Sequence, residues 1–139
     1  MLRVFCFGLA LVLSACAAAA DIGALSAEFK VLRAQSGHFS GGDWNEAADK
    51  FGGRKHEVML KLEEALGDGT HTRVKVVTLL GEPDLVLKAG ETMFRDSYNG
   101  GDVRVTELLV YRWRGMHDYL FFTSDGRQVL GSAWWNAWE

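Results

Sequence analysis

The sequence predicts a two-layer α+β domain, in which helices pack on one face of an antiparallel β-sheet. Segments with helical periodicity come first along the chain and segments with strand periodicity come last, an order that favours this class. The clearest strand signal is the aromatic run 108–135, which contains an Asp-Gly turn flanked by alternating apolar residues. With 139 residues and 48% hydrophobic content, the chain is expected to form one domain with a substantial core.

The first 20 residues predict a targeting signal with a site for lipid attachment. Arg3 provides a positive charge, and the apolar stretch 4–13 is too short to span a membrane as a mature helix. The sequence Leu13-Ser14-Ala15-Cys16 then resembles a bacterial lipobox, whose cysteine receives lipid and becomes the new N-terminus. We therefore predict that lipid is attached at Cys16.

Ordinary signal cleavage after Ala20 is the alternative to lipid attachment. The small residues Ala18-Ala19-Ala20 fit the pattern of such a site, and cleavage there would give a soluble periplasmic or secreted protein. Ala17, which follows the lipobox cysteine, is typical of lipoproteins that are sent on to the outer membrane. By either route, residues 1–20 contain the signal and a short tether, and residues 21–139 form a single α+β domain.

Three helices are predicted in the first half of this domain. The first begins at Asp21, a suitable N-cap, and ends at Gly37. Its apolar positions recur at helical spacing, at Ile22, Leu25, Phe29 and Leu32. A short helix over 44–51 is expected to have Asp43 as its cap, and a longer amphipathic helix is predicted over 54–66.

A fourth helix is predicted over Thr72–Leu80. Gly81 and Pro83 end it, because glycine suits the position just past a helix and proline cannot continue one. Its expected apolar stripe consists of Val74, Val77 and Leu80. The β-branched run 74–78 has low helix propensity, so a strand remains an alternative for this segment.

The rest of the chain predicts strands. A brief extended segment covers 85–87, and the segments 93–98 and 103–108 are expected to pair across the Asn-Gly-Gly sequence between them. Alternating residues then predict a three-stranded antiparallel meander, with turns at Gly115 and at Asp125-Gly126.

A helix that ends in Leu79-Leu80-Gly81-Glu82-Pro83-Asp84, an aromatic meander and a lipobox together resemble a known family. The chain is similar to the small outer-membrane lipoproteins of the SmpA/OmlA (BamE) family, whose fold resembles one repeat of the β-lactamase inhibitor protein. The resemblance implies that a helical pair, with 72–84 as its second helix and stop, packs on a sheet whose later strands lie in 108–135. It also implies an accessory role in outer-membrane protein assembly.

No catalytic or metal-binding pattern is present in the sequence. No two of His38, His56, His71 and His117 have the i, i+4 spacing of zinc ligands on a helix. Both cysteines lie within the first 16 residues, and no serine lies in a nucleophile elbow. We therefore expect a non-enzymatic protein without metal or cofactor. The formal net charge of −3 gives no support for nucleic-acid binding.

The aromatic strands suggest a binding surface. Tyr119 and Phe121 would lie on one face of a strand whose other face is also apolar, and the helices can cover one face alone. Arg112 and Arg114 flank Trp113 and are expected to share a face, where they could stack on rings or bind a carboxylate or lipid phosphate. The candidate binding residues are Tyr111, Arg112, Trp113, Arg114, Tyr119 and Phe121. In the alternative interpretation these aromatic residues form core.

The sequence thus predicts an exported, lipid-anchored accessory protein on the periplasmic side of the outer membrane. It would bind an envelope protein or a phospholipid through the aromatic sheet face. The alternative is a soluble inhibitor-like or ligand-binding module that is released into the periplasm or secreted, and an enzyme with an unrecognised site is a third class.

Overall fold

The structure is a computed structural model that describes residues 8–137, with the side chains of residues 21–137. Its elements in chain order are α1 (Gly8–Arg33), α2 (Glu46–Asp49), α3 (Arg54–Leu66), α4 (Arg73–Leu80), β1 (Leu85–Lys88), α5 (Thr92–Ser97), β2 (Glu107–Arg114), β3 (Asp118–Ser124) and β4 (Val129–Asn136). A 3-10 turn lies at His38–Ser40, between α1 and α2. The side chain of Cys16, the predicted lipid attachment site, lies outside the described ones.

The four strands form one antiparallel sheet in the order β1-β2-β3-β4, so the predicted α+β class and the C-terminal meander are confirmed. Val110 lies opposite Phe121, and Phe121 lies opposite Ala133. Because each strand pairs with its neighbour in sequence, the aromatic residues of β2 and β3 lie side by side across the middle of the sheet.

Helices α1, α3 and α4 cover the first face of the sheet. Their apolar residues pack against Leu109, Tyr111, Trp113, Leu120 and Phe122. The predicted apolar stripe of α1 is confirmed, since Leu25, Phe29 and Leu32 are all buried. The predicted start of this helix at Asp21 is wrong, because α1 continues without a break from Gly8.

Helix α3 has the predicted bounds, and α2 is shorter than predicted. Asn45 takes the capping role expected of Asp43: its side chain accepts hydrogen bonds from the backbone N–H groups of Ala47 and Ala48. The helix therefore begins at Glu46, two residues later than expected, and Trp44 lies outside it with 54% of its surface exposed.

Helix α4 confirms the helical interpretation of the segment around Val76. Thr72 is its N-cap, with the side-chain oxygen 3.1 Å from the backbone nitrogen of Lys75. The predicted stripe is partly wrong: Val76 and Leu80 are buried, whereas Val74 is 71% exposed. Residues 76 and 80 lie four apart and so share the face of α4 that packs on the core.

Gly81 ends α4 with a φ of 83°, a value that favours glycine, and its ψ of 177° lies outside the left-handed helical region. The carbonyl groups at this end are satisfied by side chains from elsewhere. Arg33 Nη1 donates to the oxygen of Leu80 at 2.9 Å, and the Tyr111 hydroxyl donates to the oxygen of Gly81 at 2.9 Å. Because these carbonyl groups have donors from other parts of the chain, the backbone can leave α4 in an extended conformation.

The second face of the sheet is covered by α5 and the loop that follows it. The predicted pairing of 93–98 with 103–108 is wrong, because Thr92–Ser97 is helical and β2 begins at Glu107. Phe94 and Tyr98, four residues apart, bring their rings to a centroid distance of 5.8 Å over the sheet. Phe94 belongs to the buried cluster on this face, whose other members are Leu87, Val105, Leu108, Val110, Tyr119 and Phe121.

Candidate functional site

The predicted binding aromatics are buried. Tyr111, Trp113, Tyr119 and Phe121 have 0%, 4%, 2% and 1% of their surface exposed. The prediction that one aromatic face is left open for a partner is therefore wrong. Tyr111 and Trp113 pack under the helices on the first face, and α5 with its loop covers Tyr119 and Phe121 on the second.

A β-bulge at Trp113 separates the two predicted binding arginines. Arg112 pairs with Tyr119, and Arg114 pairs with Asp118, so β2 has an additional residue between these pairs. The two arginines consequently lie on opposite faces, and the prediction that they share one is wrong. Arg114 instead lies 4.0 Å from the Trp113 ring centroid and donates from Nε to the backbone oxygen of Asp49 at 2.9 Å.

A charged cavity of about 360 Å³ lies at this end of the sheet. It is bounded by the C-terminal end of α1, the loop after it, the first turn of α3 and the bulged end of β2. Three cationic side chains and two carboxylates line it: Arg33, Lys55, Arg112, Asp49 and Asp84. Phe39 and Trp113 contribute apolar walls. Of the predicted binding residues, Arg112 and Trp113 are thus brought to one site.

Lys55 is the most unusual group in this cavity, because its side chain is 7% exposed. Its ammonium group donates to the backbone oxygen of Trp113 at 3.0 Å, its one hydrogen-bond partner among the described residues. Burial lowers the pKa of Lys55, and Asp84 opposes that effect. An ammonium group has three donors, so two remain for a bound molecule.

The two carboxylates of the cavity are held by the protein itself. Asp49 Oδ2 accepts from the backbone nitrogens of His38 and Asn45, each at 2.8 Å. Asp84 accepts from Arg33 Nη2 at 2.9 Å and from the backbone nitrogen of Arg112 at 2.7 Å. These contacts fix the loop after α1 and the start of β1, so both aspartates have clear structural roles.

Arg112 is the second cation of the cavity with an unused donor. Its Nε is buried and has no hydrogen-bond partner in the described part of the chain. Buried polar groups are almost always hydrogen-bonded, so an unpaired guanidinium nitrogen is exceptional. Because Nε is shielded from solvent, the donors that Arg112 offers to an added acceptor are its terminal Nη groups. Together with the ammonium group of Lys55, they are the groups of the cavity best able to bind an acceptor.

An aromatic cluster supports the wall of the cavity behind Trp113. The His56 ring stacks on Trp113 with a centroid distance of 4.2 Å, and its Nδ1 accepts from the backbone nitrogen of Gly52 at 3.2 Å. Burial, followed by the nearby positive charge of Arg114, lowers the pKa of His56. A neutral imidazole therefore holds the Trp113 ring in place.

The residue that defines the cavity, Lys55, is absent from the predicted binding set. Its spacing provides a usable signal, since Lys55 lies three, four and seven residues before the buried Val58, Met59 and Leu62. A lysine on the apolar side of an amphipathic helix is a candidate for a buried charge. The cavity around Lys55 is formed by segments that are far apart in sequence, so no local sequence pattern predicts where the cavity lies.

A shallower opening remains on the second face of the sheet. It has a volume of about 180 Å³ and is lined by Met93, Asp96, Ser97, Met116, Tyr119 and Trp135. Tyr119 stacks on Trp135 at a centroid distance of 6.3 Å and shares a 2.7 Å hydrogen bond with the Ser97 hydroxyl. This opening is the part of the second face that α5 leaves accessible.

The chain matches no protein-family model, no curated protein and no solved structure. Within the described residues, no group of three or more histidine, cysteine, aspartate or glutamate side chains could hold a metal ion. Among the described residues, no helix combines the length and the apolar character that crossing a membrane requires.

Proposed function

We propose that this chain is an exported, lipid-anchored, non-enzymatic domain of the cell envelope that binds a small ligand in the charged cavity. The observation that carries the proposal is the buried ammonium group of Lys55, which has one hydrogen-bond partner among the described residues and faces a cavity that Arg112 also lines. Burying an ammonium group with one hydrogen bond disfavours folding, and an apolar side chain of similar size often avoids that loss. Ionisable groups buried in a cleft are in general candidates for a functional role.

Lipid attachment at Cys16 would hold the domain at the outer membrane on the periplasmic side. The lipobox and the preceding apolar stretch support this part of the proposal. The backbone of α1 is helical from Gly8 to Arg33, so the attachment residue belongs to the same helix as the buried Phe29. A lipid at Cys16 would then be joined to the domain by a helix and not by a flexible tether.

A second candidate function is the binding of another envelope protein or a phospholipid at the opening around Trp135. Met93 and Met116 beside it are 40% and 36% exposed, and methionine and aromatic side chains are enriched at protein interfaces. The resemblance to the SmpA/OmlA family supports such an accessory role, and so does the shared arrangement of helices followed by a meander. The charged cavity is larger than this opening, and its charged lining is more selective for a ligand. Binding of a small ligand in the cavity is therefore the leading proposal.

Blocking the cavity tests the proposed function. Gln35 is exposed and lines the cavity, so Gln35→Trp should obstruct it, while Ala34→Trp places the same side chain on a neighbouring exposed residue outside it. Small carboxylates, phosphates, amines and neutral alcohols would be screened by ligand-observed NMR against the full chain. We expect at least one class to bind the wild type and Ala34→Trp but not Gln35→Trp. Screens that find no compound sensitive to Gln35→Trp would refute ligand binding in the cavity.

A further inference from the structure

We infer that the cavity binds a small organic monocarboxylate, whose carboxylate group contacts Lys55 and Arg112. This assignment rests on the proposed function and names the ligand class. It is carried by the charge balance of the lining, by the unused donors of its two cations and by the apolar walls beside them.

The charge balance favours a ligand with one negative charge. Arg33 and Asp84 form an ion pair at 2.9 Å, so their charges offset each other. Asp49 has a further negative charge, while Lys55 and Arg112 have two positive charges. The lining therefore has an excess of one positive charge, which a carboxylate neutralises. A phosphate monoester has close to two negative charges at neutral pH and would leave an excess of negative charge.

The free donors favour an oxygen acceptor. Lys55 has two ammonium protons beyond the one it donates to Trp113, and the terminal Nη groups of Arg112, which lines the cavity, have no hydrogen-bond partner in the described residues. Hydrogen bonds between these cations and a carboxylate are shorter and stronger than those between neutral groups. A ligand amine would add donors to a site that already has unused ones.

The walls and the size of the cavity define the rest of the ligand. Phe39 and Trp113 provide apolar surface, and the volume of about 360 Å³ lies near the lower end of the range for small-molecule sites. One aromatic ring or a short aliphatic chain next to the carboxylate suits this space. Benzoate is therefore an appropriate probe of the ligand class.

The test is a titration of the full-length chain with benzoate, followed through the backbone amide signals in ¹H–¹⁵N spectra. We expect saturable shifts at Lys55, Arg112 and Trp113. Benzyl alcohol, which keeps the ring without the charge, should bind at least about tenfold more weakly, because it forfeits the charge-assisted hydrogen bonds. Phenyl phosphate, which keeps the ring and has more charge, should also bind more weakly than benzoate.

Variants show whether the two cations make the contact. Lys55→Met nearly keeps the length of the lysine side chain without its charge, and Arg112→Met removes the charge on β2 with a shorter apolar side chain. Each substitution should weaken benzoate binding by about tenfold or more. Lys61→Met is the matched control, because Lys61 is an exposed residue of the same helix α3. If one of these two site variants fails to fold, the affinity of the other variant for benzoate still tests the assignment.

The outcomes separate this assignment from the proposed function. If benzyl alcohol or phenyl phosphate binds as tightly as benzoate and Gln35→Trp abolishes that binding, the cavity is a ligand site but the carboxylate assignment is wrong. Equal affinity of wild type, Lys55→Met and Arg112→Met for benzoate would also overturn the assignment. If no probe binds in a way that Gln35→Trp prevents, the proposed function and the assignment both fail.

Discussion

Glu107 accepts a hydrogen bond from Arg73 Nε at 2.7 Å, and this ion pair joins the start of β2 to the start of α4. The Glu107 side chain is 2% exposed. The Ser124 hydroxyl donates to the same oxygen, Oε1, at 3.1 Å, and the other oxygen, Oε2, lies 2.5 Å from Lys88 Nζ. A single carboxylate therefore holds a helix and the adjacent strands β1, β2 and β3 together at one end of the sheet.

We expect Glu107→Gln to lower the free energy of unfolding by about 1–3 kcal/mol, because charge-assisted hydrogen bonds are replaced by weaker neutral ones. Chemical denaturation at neutral pH measures the change. Asp102→Asn is the matched control: it removes a carboxylate paired with the exposed Arg104, and such surface pairs contribute less than about 1 kcal/mol. Equal effects of the two substitutions would contradict the role given to Glu107.

The stabilising contribution of Glu107 should also depend on pH. Burial raises the pKa of its carboxyl group, but the hydrogen bonds from Lys88, Arg73 and Ser124 outweigh burial and hold that pKa below its usual value. A carboxyl pKa that is lower in the folded state stabilises the fold above the unfolded pKa, and that stability is lost as the pH falls through the folded value. The difference in stability between wild type and Glu107→Gln should therefore shrink below about pH 4.5.

Gly81→Val should lower the free energy of unfolding by about 1–3 kcal/mol through backbone strain. Gly81 has a φ of 83°, which a β-branched residue rarely adopts, and a Cβ at this position would lie 3.3 Å from Arg33 Nη1. Gly101→Val is the control, because Gly101 lacks a positive φ and a Cβ there would have no neighbour within 4 Å. Thermal and chemical denaturation of both variants would show whether the strain is specific to Gly81.

Lys55 should make the folded state more stable as the pH rises. Its pKa is lowered by burial, so between the folded pKa and the unfolded value of about 10.4 the unfolded chain binds more protons. Over that interval wild-type stability should increase relative to Lys55→Met, by at most about 1.4 kcal/mol per pH unit. Burial raises the pKa of Tyr111, and its effect at high pH cancels in the comparison, because both proteins contain it. A difference that stays constant with pH would contradict a buried, titrating Lys55.

Cys16→Ala should move the protein from the membrane fraction to the soluble periplasmic fraction, because the substitution removes the predicted lipid attachment site. Fractionation of cells that express each form measures the shift, and mass spectrometry of the mature N-terminus identifies the processing route. A wild-type protein that is soluble and begins at Asp21 would instead show cleavage after Ala20.

The fold was predictable from sequence where local signals agree. Helix α3 has a clear apolar face between two glycines, and β3 is a short aromatic and apolar run before the Asp125-Gly126 turn, so the sequence locates both correctly. The sequence of α5 predicts a strand where the structure has a helix. Six residues next to a glycine-containing turn are too few to distinguish helical periodicity from strand periodicity. The bulge at Trp113 depends on the register with β3, which the sequence of β2 alone does not specify.

The candidate site was less predictable because it depends on contacts between distant segments. The arginines that flank Trp113 on a predicted strand indicate Arg112 and Trp113, but in the described residues the aromatic face expected to be open is covered except at the opening around Trp135. Whether Tyr119 is exposed depends on α5, which lies more than 20 residues earlier in the chain. Lys55 meets Trp113 across 58 residues, a contact that requires the helices to be packed on the sheet first.

The cover over the second sheet face has a consequence for local unfolding. Helix α5 is six residues long and has one buried side chain, Phe94, so little apolar surface holds it in place. Strand β3, which carries Tyr119 and Phe121 on this face, is central in the sheet and buried along its whole length. Because segments with few buried contacts open at lower free energy than central strands, the amides of α5 should exchange with deuterium well before those of β3. Each such opening would briefly expose Tyr119 and Phe121 while the rest of the domain stays folded.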